Sequence, residues 1–303
     1  MKRMIFILAL GLVLFGSYLI SKKYEKQTTS ITKKDIALSA KEDLPVITLK
    51  DSFYAKSLFF ESVDAAKESK SSSSTFALIS PHHFVAAKFI AEIIKTSSGR
   101  DIKTVVIVGP NHDNIGAEMI TSTKSAWETP FGRVAVDENL TGLFLADFNL
   151  VANNDAFQNE HSIGAIVPFI KYYIPQAKII PIILSSYAGQ KEADNVSQWI
   201  ADNAPEGSLV VFSMDFSHYL TKEIADTKDD LTEKLILNRE IEKALNLTND
   251  NVDCPACLAT SLMYAQKKSL STEIVRNGNS FDFSFEKPSR TTSYFTVRFF
   301  QDK

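Results

Sequence analysis

Two cysteines and five histidines are all the sulfur and imidazole metal donors, methionine aside, that the 303-residue chain contains. Two cysteines cannot build a disulfide framework, so their meaning depends on where they stand. No run of Lys or Arg occurs outside the first few residues and the 22–34 region, and the net charge is −3. That balance excludes sequence-wide attraction to nucleic acid. No internal repeat is visible. The stretch "DFSHY" at 215–219 lacks the glycines of a nucleophile elbow, which argues against a hydrolase built on Ser217. Apolar residues are plentiful, at 45% of the chain, and support a sizeable core.

The first residues form a class of their own. Lys2 and Arg3 precede an apolar to weakly polar stretch from Met4 to Ile20, and Lys22 and Lys23 follow it. Seventeen residues lie at the short limit of a membrane span and above a usual signal-peptide core. No small-x-small cleavage site or lipidation cysteine stands nearby. Residues 1–22 therefore read as a signal anchor, with a cleaved signal peptide or a buried helix as the other readings. Residues 23–45, rich in Lys, Ser and Thr, read as a polar linker. The basic residues at the amino terminus favour a globular part outside the cytoplasm, membrane-anchored or, after cleavage, secreted.

Beyond the linker, one domain from 46 to 303 is the simplest account. Buried strands are expected at 75–80, 103–109, 177–186 and 208–214, and an alternating terminal strand at 291–300. Helices are expected at 84–98, 138–147, 161–174, 189–202, 226–245 and 255–267. Continuous Val/Ile runs between helical periods mean strands covered on both faces, hence an α/β domain with a mostly parallel central sheet flanked by helices. In such sheets, ligands bind beyond the carboxyl ends of the strands.

The histidines follow that rule. His82 and His83 succeed the strand ending at Ser80, His112 the strand ending at Gly109, and His218 the strand ending at Met214 with Asp215 beside it. Loops collect polar residues, so one such placement means little; three at one sheet edge suggest convergence on a transition metal. His161, next to Glu160, falls at a helix start. In "DCPACLATSLMYA" Cys254 precedes Pro255 at the start of a helix, and Cys257 lies one turn on. That pair has three readings: metal ligation through Cys254, a redox disulfide, or plain packing.

The stretches "ISPHHF", "VGPNHD", "WETPFGRVAVDENL", "EHSIGAIVPFI", "IIPIIL", "FSMDFSHY" and "DCPACLATSLMYA", in this order and spacing, resemble the Memo family (mediator of cell motility; AmmeMemoRadiSam system protein B in prokaryotes). The resemblance runs from residue 51 nearly to the carboxyl terminus. It implies a fold similar to that of the class III extradiol dioxygenases, LigB-like. It also implies one iron or copper ion, with zinc a third candidate, held by His82, His112 and Cys254. His218 then stands where those dioxygenases keep their general base, and Asp215 fixes its tautomer or joins the metal. His161, Tyr219 and Trp127 are candidates for contact with substrate. "PHHFV" replaces the family's "PHAGY", removing a glycine and a tyrosine hydroxyl, and His83 has no family counterpart.

The resemblance thus points to dioxygenase-like oxidoreductase chemistry on a small molecule or a protein substrate. The alternative is a peptide- or partner-binding module without catalysis. The family name implies radical-SAM and AMMECR-type pathway proteins as partners, besides the membrane reached through the amino-terminal segment.

Overall fold

Four runs dominated by Val, Ile and Leu make the centre of the molecule, because their period-two alternation gives each strand two apolar faces to bury. In the computed structural model, which describes residues 46–48, 54–284 and 286–302, these runs are strands at or within two residues of the expected bounds. The elements begin with β1 (Val46–Thr48), α1 (Lys56–Ala65) and β2 (Thr75–Ser80). A 3-10 turn (Phe84–Ala86) leads into α2 (Ala87–Thr96), β3 (Thr104–Asn111) and β4 (Ile120–Ser122), followed by the hairpin of β5 (Ala126–Thr129) and β6 (Gly132–Val134). Next come α3 (Glu138–Asp147), α4 (Asp155–Gln158), α5 (His161–Gly164), α6 (Val167–Tyr173), β7 (Lys178–Ser185) and α7 (Gln190–Asn203). The remaining elements are β8 (Leu209–Ser213), β9 (His218–Leu220), α8 (Lys222–Asn238), α9 (Ile241–Leu245), α10 (Pro255–Lys267), β10 (Ser271–Asn279), α11 (Ser280–Phe283) and β11 (Thr291–Phe300).

The main sheet runs β10-β11-β2-β8-β3-β7-β4, with β9 paired to β11. Its centre, β2, β8, β3 and β7, is parallel. Antiparallel strands extend both sides. The domain is α/β, as expected, with parallel pairing confined to the middle of the sheet. A small sheet, β1-β5-β6, lies apart from it.

Alternation sorts the core. Leu78, Val105, Ile107, Ile179 and Val211 face one cluster, completed by Phe59, Ile90, Ile94 and Phe169 of α1, α2 and α6. Ile79, Val106, Val108, Ile182 and Phe212 face the other, with Phe144, Val196, Leu258 and Leu262 of α3, α7 and α10. Each fully buried side chain of this kind stabilises the fold by about 1.5–3 kcal/mol.

Several elements depart from expectation for local reasons. The helix expected over 161–174 is two, since Pro168 stands in the first turn of α6 and has no N–H to continue α5. The helix expected over 226–245 begins earlier and is interrupted by Arg239, left-handed at φ 53°. The connection at 125–140 contains the β5–β6 hairpin. The amino-terminal segment 1–22 and the linker 23–45 lie outside the described residues. Among the described residues, no helix is long and apolar enough to cross a membrane.

Candidate metal centre

Because β2, β3 and β8 are parallel, the residues after their last positions meet at one edge. The chain leaves β2 through Pro81 into His82, leaves β3 into His112, and leaves β8 through Met214 into Asp215. The residue before α10 is Cys254, so its cap places Asp253 at the same edge, while α5 brings Glu160 and His161. The ring nitrogens of His82, His112 and His161 offer ligand atoms within 4.8 Å of one another, and so do His82, Asp215 and Asp253. The rings of His112 and His161 stack at 4.0 Å, and His82 meets both edge-on.

Hydrogen bonds determine which nitrogen of each ring is free. The hydroxyl of Ser213 donates to Ser162 O at 2.6 Å, so its oxygen accepts from Nδ1 of His82 at 3.1 Å. A carboxylate only accepts, so Nδ1 of His112 donates to Glu160 Oε1 at 2.7 Å. Both rings therefore present Nε2 inward, at 3.1 and 3.7 Å from Asp253 Oδ2. Glu160 is itself held, accepting from the backbone of His112 and Ser162 at 2.8 Å each. Asp215 Oδ1 accepts from the backbone N–H of His82 at 3.0 Å, and Oδ2 lies 3.6 Å from His82 Nε2.

The electrostatics follow from burial with paired charges. Burial opposes charge on His112, but Asp253 and Glu160 outweigh it and raise the imidazole to about 10. His82 is also raised, the attraction of Asp215 and Asp253 overcoming its burial. Burial, then the charges of His82 and His112, push His161 down to about 3. Burial works to raise Asp253, yet the two imidazoles hold it well below the usual carboxylate range. His218 is lowered chiefly by burial, with Asp253 and Asp215 acting against it.

The residues fit a cation. His82 Nε2, though 3.1 Å from Asp253 Oδ2, makes no aligned hydrogen bond, and Asp253 Oδ1 and His218 Nδ1 are also buried without a partner; such orphaned atoms are rare unless a ligand, ion or water satisfies them. Imidazole nitrogens with carboxylate oxygens suit zinc, iron and copper alike. Two cavities open on the cluster. A cleft of about 450 Å³ is lined by Asn111, His112, Ser185, Leu247, Asp253 and Cys254, among others. A second, of about 360 Å³, is lined by Ala55, Leu58, His82, His83, Val85 and His161, among others.

Of the residues singled out in the sequence, His82, His112, His161 and Asp215 come together here. Cys254 requires a correction as a ligand: it is bonded to Cys257 in a disulfide, whose sulfurs carry no thiolate charge to give a metal. Its neighbour Asp253 occupies the position beside the two imidazoles. Trp127 also changes role, because β5 buries it to 1% exposure against Phe157, away from both cavities. Tyr219 is 68% exposed, left-handed at φ 58°, and lines neither cavity. His218 feels the charges of Asp253 and Asp215 but borders neither cavity. His83 turns to β11, where Nδ1 lies 2.8 Å from the Tyr294 hydroxyl. Ser217 is fully buried and donates to Asp229, which leaves it no nucleophilic role.

Glu160, Ser213 and Asp253 were not foreseen as parts of the site. Glu160 and Asp253 each flank a residue that was, His161 and Cys254, and that adjacency is the available signal.

An α/β domain with imidazoles and carboxylates gathered at the carboxyl edge of its parallel strands is the class that fold and site define. A family model described as "Memo-like protein" matches residues 55–294, and the chain belongs to that family. A MEMO1 family protein of Caldivirga maquilingensis is 32% identical over 191 residues, covering 60% of this chain and 67% of that protein. Another, of Pyrobaculum aerophilum, is 31% identical over 204 residues, covering 65% and 72% respectively. Among solved structures, an uncharacterized protein of Escherichia coli K12 aligns with a TM-score of 0.46 at 13% identity, covering 73% of this chain and 99% of that one.

Proposed function

We propose that this Memo-like protein holds one iron or copper ion, zinc being the third candidate, at His82, His112 and His161 with Asp253, and acts as an oxidoreductase on a molecule bound in the adjoining cleft. The observation that carries this reading is the pair of tethered rings. Ser213 and Glu160 occupy Nδ1 of His82 and His112, leaving both Nε2 atoms inward, the arrangement that outer partners impose on metal-ligating histidines. With Cys254 oxidised, the donors are nitrogen and oxygen, and the preference for softer metals that a thiolate would bring is absent.

A bound iron or copper ion would supply Lewis acidity and redox capacity. The chain's own residues supply the rest. Asp215 holds the His82 turn by its backbone. Asn111, Ser185 and Asn249 offer hydrogen bonds along one part of the cleft, while Leu245 and Leu247 present apolar surface for a mixed-polarity molecule. His218, lowered chiefly by burial, borders neither cavity, so in this reading it acts on the charge of the cluster and not directly on the bound molecule.

The second reading is a module that binds a peptide or partner without turnover. It is favoured by the number of donors: His82, His112 and His161 offer ligand atoms within 4.8 Å of one another, and Asp253 stands 3.1 Å from His82, enough to hold a cation without further chemistry. The membrane anchor, the placement of the domain outside the cytoplasm, and radical-SAM or AMMECR-type partners belong to the same proposal. They rest on the residue pattern of 1–22 and on the family resemblance.

Metal analysis of the anaerobically purified full chain is the first test. About one equivalent in the wild type and strong loss in His112→Ala support the site; equal, trace content in both ends it. Oxygen consumption by the iron-loaded protein with catechol-type and peptide substrates then separates catalysis from binding.

A further inference from the structure

The Cys254–Cys257 bond has no part in the cation site described above, yet it stands in the wall of the same cleft. Both residues are buried in one core cluster, Cys254 at 4% and Cys257 at 0% exposure, but they differ in their relation to the cleft. Cys254 lines the cleft, where the loop from Thr248 and the turn after β3 meet it. Cys257 is fully buried in the sheet-facing core with Leu258 and Leu262.

A purely structural role fits this bond poorly. A cross-link stabilises by restricting the unfolded chain, and the effect is smallest for short loops; this one joins residues three apart. The same turn is already fixed without it. Pro255 opens α10, Cys257 N–H donates to Cys254 Sγ at 3.1 Å, and Leu258 N–H donates to Cys254 O at 3.0 Å. The Cα atoms lie 5.2 Å apart, a separation that the helical turn itself provides, so opening the bond requires no displacement of the backbone.

We propose that Cys254–Cys257 is a second functional site, an exchangeable disulfide entered from the cleft at Cys254 that takes two electrons from a dithiol. One thiolate of the dithiol attacks Cys254 Sγ, the Cys254–Cys257 bond breaks, and Cys257 leaves and takes a proton. The second thiol of the dithiol then attacks the mixed disulfide, releasing Cys254 as a thiol and closing the partner's own disulfide. Two electrons and two protons pass from the dithiol to the pair. No metal enters the sequence, so the site stands or falls apart from the cation reading.

The test uses the full chain, stripped of metal with a chelator and equilibrated in mixtures of reduced and oxidised dithiothreitol. After acid quenching, a maleimide tag counts thiols by intact mass. The expected result is a single transition from no tags to two, reversed by the oxidised reagent, with the far-ultraviolet circular dichroism unchanged. Absence of tags without denaturant, or tags appearing only as the dichroism is lost, overturns the proposal. The direction of entry is read from single variants labelled with a disulfide reagent in the folded state. Cys257→Ser, which leaves Cys254 in the cleft, should react at least about tenfold faster than Cys254→Ser, which leaves only the buried thiol. Equal rates, or the reverse order, overturn entry at Cys254.

Discussion

Glu160 Oε1 lies 2.7 Å from Nδ1 of His112, and the other oxygen of the same carboxylate accepts the backbone N–H of that histidine at 2.8 Å. One side chain thus fixes both the position and the tautomer of a ring 48 residues away. Replacing Glu160 by Gln leaves the size of the side chain while removing its charge and one acceptor. Metal affinity should fall by about 10–100-fold, as for other outer partners of ligating histidines. Competition against a chromophoric chelator measures it. Unchanged affinity would show that His112 does not bind metal through the nitrogen opposite Glu160.

The disulfide makes a contrasting set of variants informative. In oxidised protein, His82→Ala and His112→Ala should each abolish stoichiometric metal, because each removes a ring whose Nε2 faces the site. Cys254→Ala should leave metal content within about twofold, since a disulfide sulfur contributes no charge to a cation. Elemental analysis of the three proteins, purified without reductant, decides between an imidazole–carboxylate set and one that depends on sulfur.

Much of the site was legible because parallel strands announce both themselves and their ends. The runs at 104–108 and 209–213 are too apolar for anything but a covered sheet, and a polar residue just beyond such a run must lie at its edge. His82, His112 and Asp215 were found that way. Asp253 was hidden because its role depends on a contact with His82, a residue 171 positions earlier, that no local pattern encodes. Trp127 was misjudged because an aromatic residue in a polar connection looks available to a ligand, whereas the connection folds as a hairpin that buries it. Strand β10 was missed for the opposite reason. As an edge strand it pairs on one side only, and its Ser, Thr, Glu, Arg and Asn side chains carry no apolar period.

Gly109 tests how tightly the strand edge is built. A Cβ there would stand 2.7 Å from Ser162 Oγ and 2.8 Å from Ser162 Cβ. Ser162 has little room to yield, since its hydroxyl donates to Pro110 O and its N–H to Glu160. Gly109→Ala should destabilise the protein by about 1–3 kcal/mol and weaken metal binding as well, because Glu160 caps α5 and His161 begins it. Urea unfolding and the chelator competition measure the two effects. Loss of stability with wild-type affinity would mean that α5 shifts as a unit without disturbing the rings.

Asp229 provides a pH test away from the metal. It lies on α8, 4% exposed, and accepts a hydrogen bond from Ser217 at 2.8 Å. Burial pushes its carboxyl up to about 6, from an ordinary value of 3.8. The native protein therefore binds more protons than the unfolded chain between those values, so stability falls as pH rises through that window and the full deficit remains above it. The separation corresponds to roughly 2–3 kcal/mol. Asn keeps an acceptor for Ser217 and carries no charge. Asp229→Asn should therefore raise stability at pH 8 by about 1–3 kcal/mol and give little or no gain near pH 4, where the native carboxyl is already neutral. Urea unfolding at the two pH values checks the difference. An equal effect at both would mean that the buried carboxylate is fully compensated by the Ser217 hydroxyl, and that the loop between Asp215 and His218 is held without electrostatic strain.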